Sequence, residues 1–154
     1  MEVIVGGTFG YLHKGHKALL AKAFEIGDKV CIGLTTDAYV NKVKPDEKLP
    51  TYSERKKELV QFVSGFGKMF EIRPLEDRFG PAPKAAFDAI VVSPETKTNA
   101  LEINKIREKN GIKPLSIIVV DYILAYDSTP ISSSRISVGE IDRDGNRMKL
   151  RQSL

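Results

Sequence analysis

The sequence predicts an α/β fold, an open parallel five-stranded sheet with helices on both faces. Five short runs rich in β-branched or apolar residues recur at 2–5, 29–34, 69–72, 89–92 and 115–120. Several are almost continuously apolar, as strands covered on both faces must be. Helical patterns separate them, and strands alternating with helices of these lengths are joined by right-handed βαβ crossovers. In such sheets ligands gather beyond the carboxyl ends of the strands. A glycine-containing turn follows the first run directly.

Taken in order, the first run leads through Gly6-Gly7-Thr8-Phe9-Gly10 into a segment whose apolar stripe is Ala18, Leu19, Ala21, Ala23 and Phe24, ending near Gly27. The second run is followed by a loop carrying Lys42 and Lys44, then by a helix predicted over 53–63. Ser53 is its candidate N-cap, although Lys56 departs from the capping-box pattern. After the third run comes a loop over 75–84 with Gly80, Pro81 and Pro83. The fourth run precedes a helix predicted over 100–109, ended by Asn110-Gly111. The fifth is followed by a second loop, 121–130, and then by a last helix. Either loop suits the border of a substrate pocket, and turn chemistry alone also accounts for their composition.

With 154 residues and 42% hydrophobic composition the chain can bury one sizeable core, and one domain over 1–154 is expected. No apolar stretch approaches the roughly 20 residues that span a bilayer, and the N-terminus lacks a leader's basic region and apolar core. These features point to a cytoplasmic protein with no membrane partner. The single cysteine, Cys31, sits in Val30-Cys31-Ile32 and reads as a reduced, packed thiol without a role. The net charge of +4, from 24 basic and 20 acidic residues, is largely interleaved, as on an ordinary solvated surface, so no nucleic-acid partner is implied. Residues 143–151 are locally basic and read as a solvated tail or helix face.

The two histidines of the chain, His13 and His16, stand in Gly7-Thr8-Phe9-Gly10-Tyr11-Leu12-His13-Lys14-Gly15-His16. A strand, a glycine turn and a helix start thus deliver two imidazoles that can donate hydrogen bonds to phosphate. Zinc is a poor alternative, because a closed site needs about four ligands and no second half of such a motif exists. A Walker A loop nearly fits 10–17, but His16 and Lys17 occupy the places of its Lys and Ser/Thr. A second string, Thr129-Pro130-Ile131-Ser132-Ser133-Ser134-Arg135, sets hydroxyls and a guanidinium at a helix start, which suits an oligophosphate. Serines are also common caps. The two strings together indicate a nucleotide site.

These strings resemble the HxGH and ISSxxR-like signatures of the nucleotidylyltransferase superfamily, whose members share a Rossmann-like fold. Arg135 follows the serines directly, where some branches have a wider spacing. Over nearly its whole length the chain is most similar to phosphopantetheine adenylyltransferases of the archaeal type. Further matching residues are Gly6-Gly7-Thr8-Phe9, Tyr52 with Glu54-Arg55, Pro74-Leu75 with Asp77 and Gly80-Pro81-Ala82, Val91-Val92-Ser93 with Glu95-Thr96, and Asn104 with Arg107. Gly10 stands where that family commonly carries aspartate.

The resemblance implies transfer of AMP from ATP to 4′-phosphopantetheine, giving dephospho-coenzyme A and pyrophosphate, with Mg²⁺ escorting the nucleotide and no resident metal. A phosphate monoester is already an anionic nucleophile, so alignment and charge stabilisation suffice without a general base. Thr8 would position the attacking phosphate, His16 would donate to the α-phosphate, and His13 would bind the ATP phosphates. Gly15 would let the backbone approach the nucleotide closely, a task that a Cβ would obstruct, and Gly7 and Phe9 would also bind ATP. Lys42, with Lys44 as the alternative, would reach the substrate phosphate. Ser132, Ser133, Ser134 and Arg135 would hold the β- and γ-phosphates, with Ser93, Glu95, Thr96, Asn104 and Arg107 around the nucleotide. Flavin and nicotinamide mononucleotide adenylyltransferases are rivals with the same machinery. Ser128-Thr129-Pro130-Ile131-Ser132 differs from the RTxGIS string of archaeal flavin enzymes, and Ser133 stands where nicotinamide enzymes tend to have glycine. A nucleotide-binding module without catalysis is the alternative from another class. A monomer is expected.

Overall fold

A computed structural model describes residues 1–148. Its five strands, β1 (Glu2–Gly7), β2 (Lys29–Thr35), β3 (Met69–Leu75), β4 (Ala89–Val92) and β5 (Ser116–Val119), form one sheet in the order β3-β2-β1-β4-β5. All four pairings are parallel. The helices are α1 (Lys14–Ile26), α2 (Asp37–Val43), α3 (Tyr52–Val63), α4 (Lys97–Lys109) and the short α5 (Ser133–Ser137). This is the Rossmann-like α/β architecture expected from the alternation of apolar runs and helical stripes.

Strand alternation divides the core into two layers. Val3 and Val5 of β1, Val30, Ile32 and Leu34 of β2, and Ala89 and Val91 of β4 face Leu20, Ala23 and Phe24 of α1 and Leu59 and Val63 of α3. Ile4, Cys31, Ile90 and Val92 face the other way, against Ala82, Phe87, and Ala100 and Ile103 of α4. Because both faces of the central strands are covered, they lose the polar alternation of a one-sided sheet. β3 is an edge strand, so Pro74 removes no needed ladder donor. The third apolar run stops short of the strand end because Arg73 and Pro74 break its pattern.

Several boundaries differ from the sequence expectation. The segment after β2 is not a bare loop but contains α2, capped by Thr36, whose hydroxyl accepts from Tyr39 N–H at 3.2 Å. Val40 alone of its residues is buried, too little to register as a stripe. Thr51 rather than Ser53 caps α3, accepting from Glu54 N–H at 3.3 Å. The shift by two residues moves the third helical position from Lys56 to Glu54, the acid a capping box requires. α4 begins at Lys97, earlier than the expected 100, behind a turn in which Ser93 and Thr96 exchange hydrogen bonds.

The basic segment from Arg143 is not a free tail over its described part. The Arg143 carbonyl accepts from Lys14 N–H at 2.9 Å, its guanidinium pairs with Glu58, and Ile141 packs with Ala125 and Ile131. Residues 149–151 of that stretch lie outside the described residues. None of the described helices is long and apolar enough to cross a membrane.

Candidate active site

The sheet order reverses direction between β1 and β4, and at this switch point their carboxyl ends open a crevice. The turn that leaves β1 is tight: Phe9 and Tyr11 hold φ values of +48° and +51°, the left-handed region that non-glycine residues adopt at a cost. It delivers His13 as the N-cap of α1. The His13 Nδ1 accepts from His16 N–H, and the His16 Nδ1 accepts from His13 N–H, both at 3.2 Å. Two imidazoles thus form a reciprocal capping box, in the places where a Ser and a Glu are usual. Their rings stack with centroids 3.5 Å apart, and the Phe9 ring meets His16 edge-on at 5.3 Å.

This box fixes the chemistry of both rings. Since each Nδ1 accepts from an amide, each ring proton resides on Nε2, the remaining donor. Burial, with the Arg143 cation adding to it, pushes the His13 pKa down to about 4. His16 is held well below 6.5 by burial, then by His13 and Lys44. At neutral pH both rings are therefore uncharged Nε2–H donors. Gly15 is explained by the same geometry, because a Cβ there would stand 3.0 Å from His13 Cε1. The HxGH spacing is thus a folding motif as well as a chemical one.

Thr8 is prepared by a residue whose role sequence reasoning missed. Arg55, 1% exposed, donates from Nη1 to the Thr8 carbonyl at 2.9 Å and to Thr35 Oγ1 at 3.4 Å. Its Nη2 donates to the Thr35 carbonyl at 2.8 Å and to Asp37 at 3.2 Å, and its Nε to the Pro50 carbonyl at 2.9 Å. With its oxygen accepting from Arg55, the Thr35 hydroxyl donates to Thr8 Oγ1 at 3.1 Å, leaving the Thr8 proton free to donate outward. A buried arginine five residues behind a proline carries no sequence signal of this clamp.

A larger cleft of about 590 Å³, of mixed lining, gathers most of the expected residues: Gly7, Thr8, Phe9, His13, Gly15, His16, Ser93, Glu95, Thr96, Ser132, Ser133, Ser134 and Lys44. Ser133 Oγ donates to the Gly10 carbonyl at 2.6 Å, and Ser132 caps α5 by accepting from Arg135 N–H at 3.3 Å. Lys42 lies in the last turn of α2, exposed, and does not line the cleft, whereas Lys44 does.

Three expected residues are spent elsewhere. Arg135 is held by Asp127, Thr129 and Glu140 and does not line the cleft. Asn104 binds the Leu115 backbone through both ends of its side-chain amide, Nδ2 donating to the carbonyl at 2.9 Å and Oδ1 accepting from the N–H at 2.7 Å. Arg107, 2% exposed, donates to the carbonyls of Ala82, Ala85 and Lys113 at 2.7–2.8 Å. These two splice α4 to β5 and to the 75–84 loop. Around the cleft, sequence reasoning missed Tyr39, Glu47 and Asn99; the first and last went unnoticed because α2 was not foreseen and α4 was started three residues too late.

A second, largely apolar cavity of about 170 Å³ lies under the 75–84 loop, walled by Ile4, Leu75, Phe79, Ala82, Ile90 and Ile103. Gly6, Gly7, Tyr39, Thr96 and Asn99 line both spaces, so they meet at the end of β1. Opposed glycines, Gly6 and Gly33, leave room above the sheet that Leu75 fills; a Cβ at Gly33 would approach its side chain to 2.7 Å.

Among the described residues no group of three or more His, Cys, Asp or Glu side chains could hold a metal by itself. One buried oxygen is nonetheless without a hydrogen-bond partner, Glu47 Oε2, on the cleft wall. A single carboxylate completed by substrate phosphates is the usual way proteins hold Mg²⁺.

Residues 4–138 match the model of one family, described as cytidylyltransferase-like. The chain belongs to the cytidylyltransferase-like family. Among the relatives of this cytidylyltransferase-like chain are the bifunctional phosphopantetheine adenylyltransferase/NTP phosphatase of Thermoplasma volcanium, 51% identical over 97% of this chain, and the phosphopantetheine adenylyltransferase of Methanosarcina mazei, 48% identical over 96% of this chain and 97% of that protein. The chain spans 45% of the length of the Thermoplasma relatives. A crystal structure of a protein with unknown function from Archaeoglobus fulgidus superposes with a TM-score of 0.72 at 33% identity, covering 79% of this chain and 90% of that one. The archaeal resemblance drawn from the two strings thus holds for the relatives' names, and the solved structure carries the same fold.

Proposed function

We propose that this chain transfers AMP from ATP to 4′-phosphopantetheine, releasing pyrophosphate and forming dephospho-coenzyme A, a step of coenzyme A biosynthesis. The observation that carries this reading is the meeting of two unlike spaces over Gly6 and Gly7. The larger one offers hydroxyls, Lys44 and two neutral Nε2–H donors, as a triphosphate requires. The apolar one is narrow, which suits a slender pantetheine arm ending in a thiol better than a three-ring flavin. The names of relatives at 48–51% identity support the same substrates.

In this reading the acceptor phosphate rests against Thr8, whose outward proton fixes one of its oxygens, while another oxygen faces the α-phosphorus in line with the leaving pyrophosphate. His16 donates from Nε2 to the α-phosphate as it becomes five-coordinate, and His13 donates beside it to the ATP phosphates. Lys44 supplies the cation that faces the transferring group, and the Ser132–Ser134 hydroxyls face the leaving phosphates. Arrangement and charge complementarity carry the rate. Mg²⁺, when bound with the nucleotide, would neutralise phosphate charge, with Glu47 as the protein carboxylate available to it. We take residues 1–154 to act as one catalytic domain, monomeric and cytoplasmic.

The test is Mg²⁺-dependent pyrophosphate release from ATP with 4′-phosphopantetheine, flavin mononucleotide and nicotinamide mononucleotide offered separately, with the product mass checked. Dephospho-coenzyme A from the first acceptor alone is expected. Activity with another acceptor instead overturns the substrate, and silence from all three leaves a nucleotide-binding module.

A further inference from the structure

The strap between α2 and α3 borders the cleft through Lys44 and Glu47 and is fastened to the β1 turn. Tyr11 Oη donates to the Lys48 carbonyl at 2.7 Å, and Leu49 fills the space beside Gly10, where a Cβ would stand 2.9 Å from its Cδ2. Between these fastenings and α2 the strap presents Glu47. One oxygen, Oε1, accepts from the Ser134 hydroxyl. The other, Oε2, is buried without a hydrogen-bond partner, with the Lys44 ammonium 3.9 Å away. Glu95 and Asp121 also line the cleft, but both are exposed and keep their water.

A carboxylate oxygen stripped of water and hydrogen bonds is costly unless a cation compensates it. In the free protein that cation is Lys44, beyond hydrogen-bonding distance. A polyphosphate entering the cleft would face Glu47 with like charge, unless a divalent cation stands between them. Resting on the adenylyltransferase reading above, we propose that Glu47 is the residue by which this chain ligates the divalent cation of the bound nucleotide. On nucleotide entry the Lys44–Glu47 pair parts, Lys44 turning to the phosphates and Glu47 Oε2 to the cation. Ser134 holds the carboxylate in orientation through its other oxygen, as second partners of metal-ligating carboxylates do. Glu47 thereby couples nucleotide affinity to the metal through one side chain.

Calorimetric titration of ATP into the full chain, without acceptor, tests this with no turnover to read. For the wild type, replacing Mg²⁺ by a chelator is expected to weaken ATP binding by about 10-fold or more, the scale on which a ligating shell is felt. Glu47→Gln keeps the shape and the Ser134 contact but lowers the charge, and its ATP affinity is expected to be nearly the same with and without Mg²⁺. Metal-free ATP binding at least as tight as wild type is expected of this variant and certifies its fold. An equal Mg²⁺ dependence in both proteins overturns the proposal. So does a variant that binds metal-free ATP more tightly while retaining the full Mg²⁺ dependence, since Glu47 would then be only a charge displaced by phosphate. Failure of the wild type to bind ATP in either condition overturns the adenylyltransferase reading and this inference with it.

Discussion

His13 shows how one side chain serves structure and chemistry together. Its Nδ1 caps α1 only while unprotonated, and its pKa lies near 4 instead of 6.5 because the ring is buried beside Arg143. The unfolded chain therefore binds a proton on this residue that the folded chain refuses, and stability rises with pH between those two values. As pH falls from about 6.5 toward 4 the protein is expected to lose stability, with His13 contributing a slope of at most about 1.4 kcal/mol per pH unit. His13→Asn keeps a capping oxygen without the titration, and chemical denaturation at a series of pH values should show a shallower decline. An unchanged slope would assign the decline to other groups. The histidine pair was visible in the sequence as a phosphate-binding motif. Its second role was not, because imidazole is an unusual cap and only the backbone of α1 reveals the reciprocal bonds.

Elements rather than single residues explain where the sequence reading fell short. The central strands are legible because burial on both faces leaves nothing but apolar residues between Lys29 and Thr35 apart from Gly33 and Cys31. α2 buries one residue and so escapes periodicity, and with it went the placement of Lys42 and the recognition of Tyr39. Arg107 and Asn104 illustrate the opposite error: polar residues on α4 look available to a nucleotide, yet both are consumed by carbonyls and amides that join α4 to its neighbours. Arg107→Met would remove three hydrogen bonds that tie α4 to the carbonyls of Ala82, Ala85 and Lys113 and is expected to cost about 3 kcal/mol, measured by urea denaturation. The Michaelis constant for ATP should stay unchanged under conditions where the variant is folded. A selective rise in that constant, with stability intact, would return Arg107 to the nucleotide.

At the scale of the molecule, the crossover order puts every loop that carries chemistry on one edge of the sheet. The β1 turn, the strap before α3, the Ser93–Thr96 turn and the Ser132–Ser134 string converge there from distant parts of the sequence, as Ser133 reaching Gly10 across 123 residues makes plain. Their convergence was legible, since it follows from the parallel sheet. The division into a larger cleft of mixed lining and a smaller apolar cavity was not, for it depends on Leu75 lying over Gly6 and Gly33. The same layer holds Cys31, packed with Ile4, Ala82 and Ile90 and 2% exposed, with its thiol pushed up to about 11 by burial. The native protein should therefore ignore aromatic disulfide reagents and react with them only on unfolding, an outcome that absorbance would reveal directly. A reagent-silent protein allows the sulfhydryl of an added thiol ligand, such as the acceptor proposed above, to be counted in its presence, and leaves the surface vacant for a single engineered label to report on the strap.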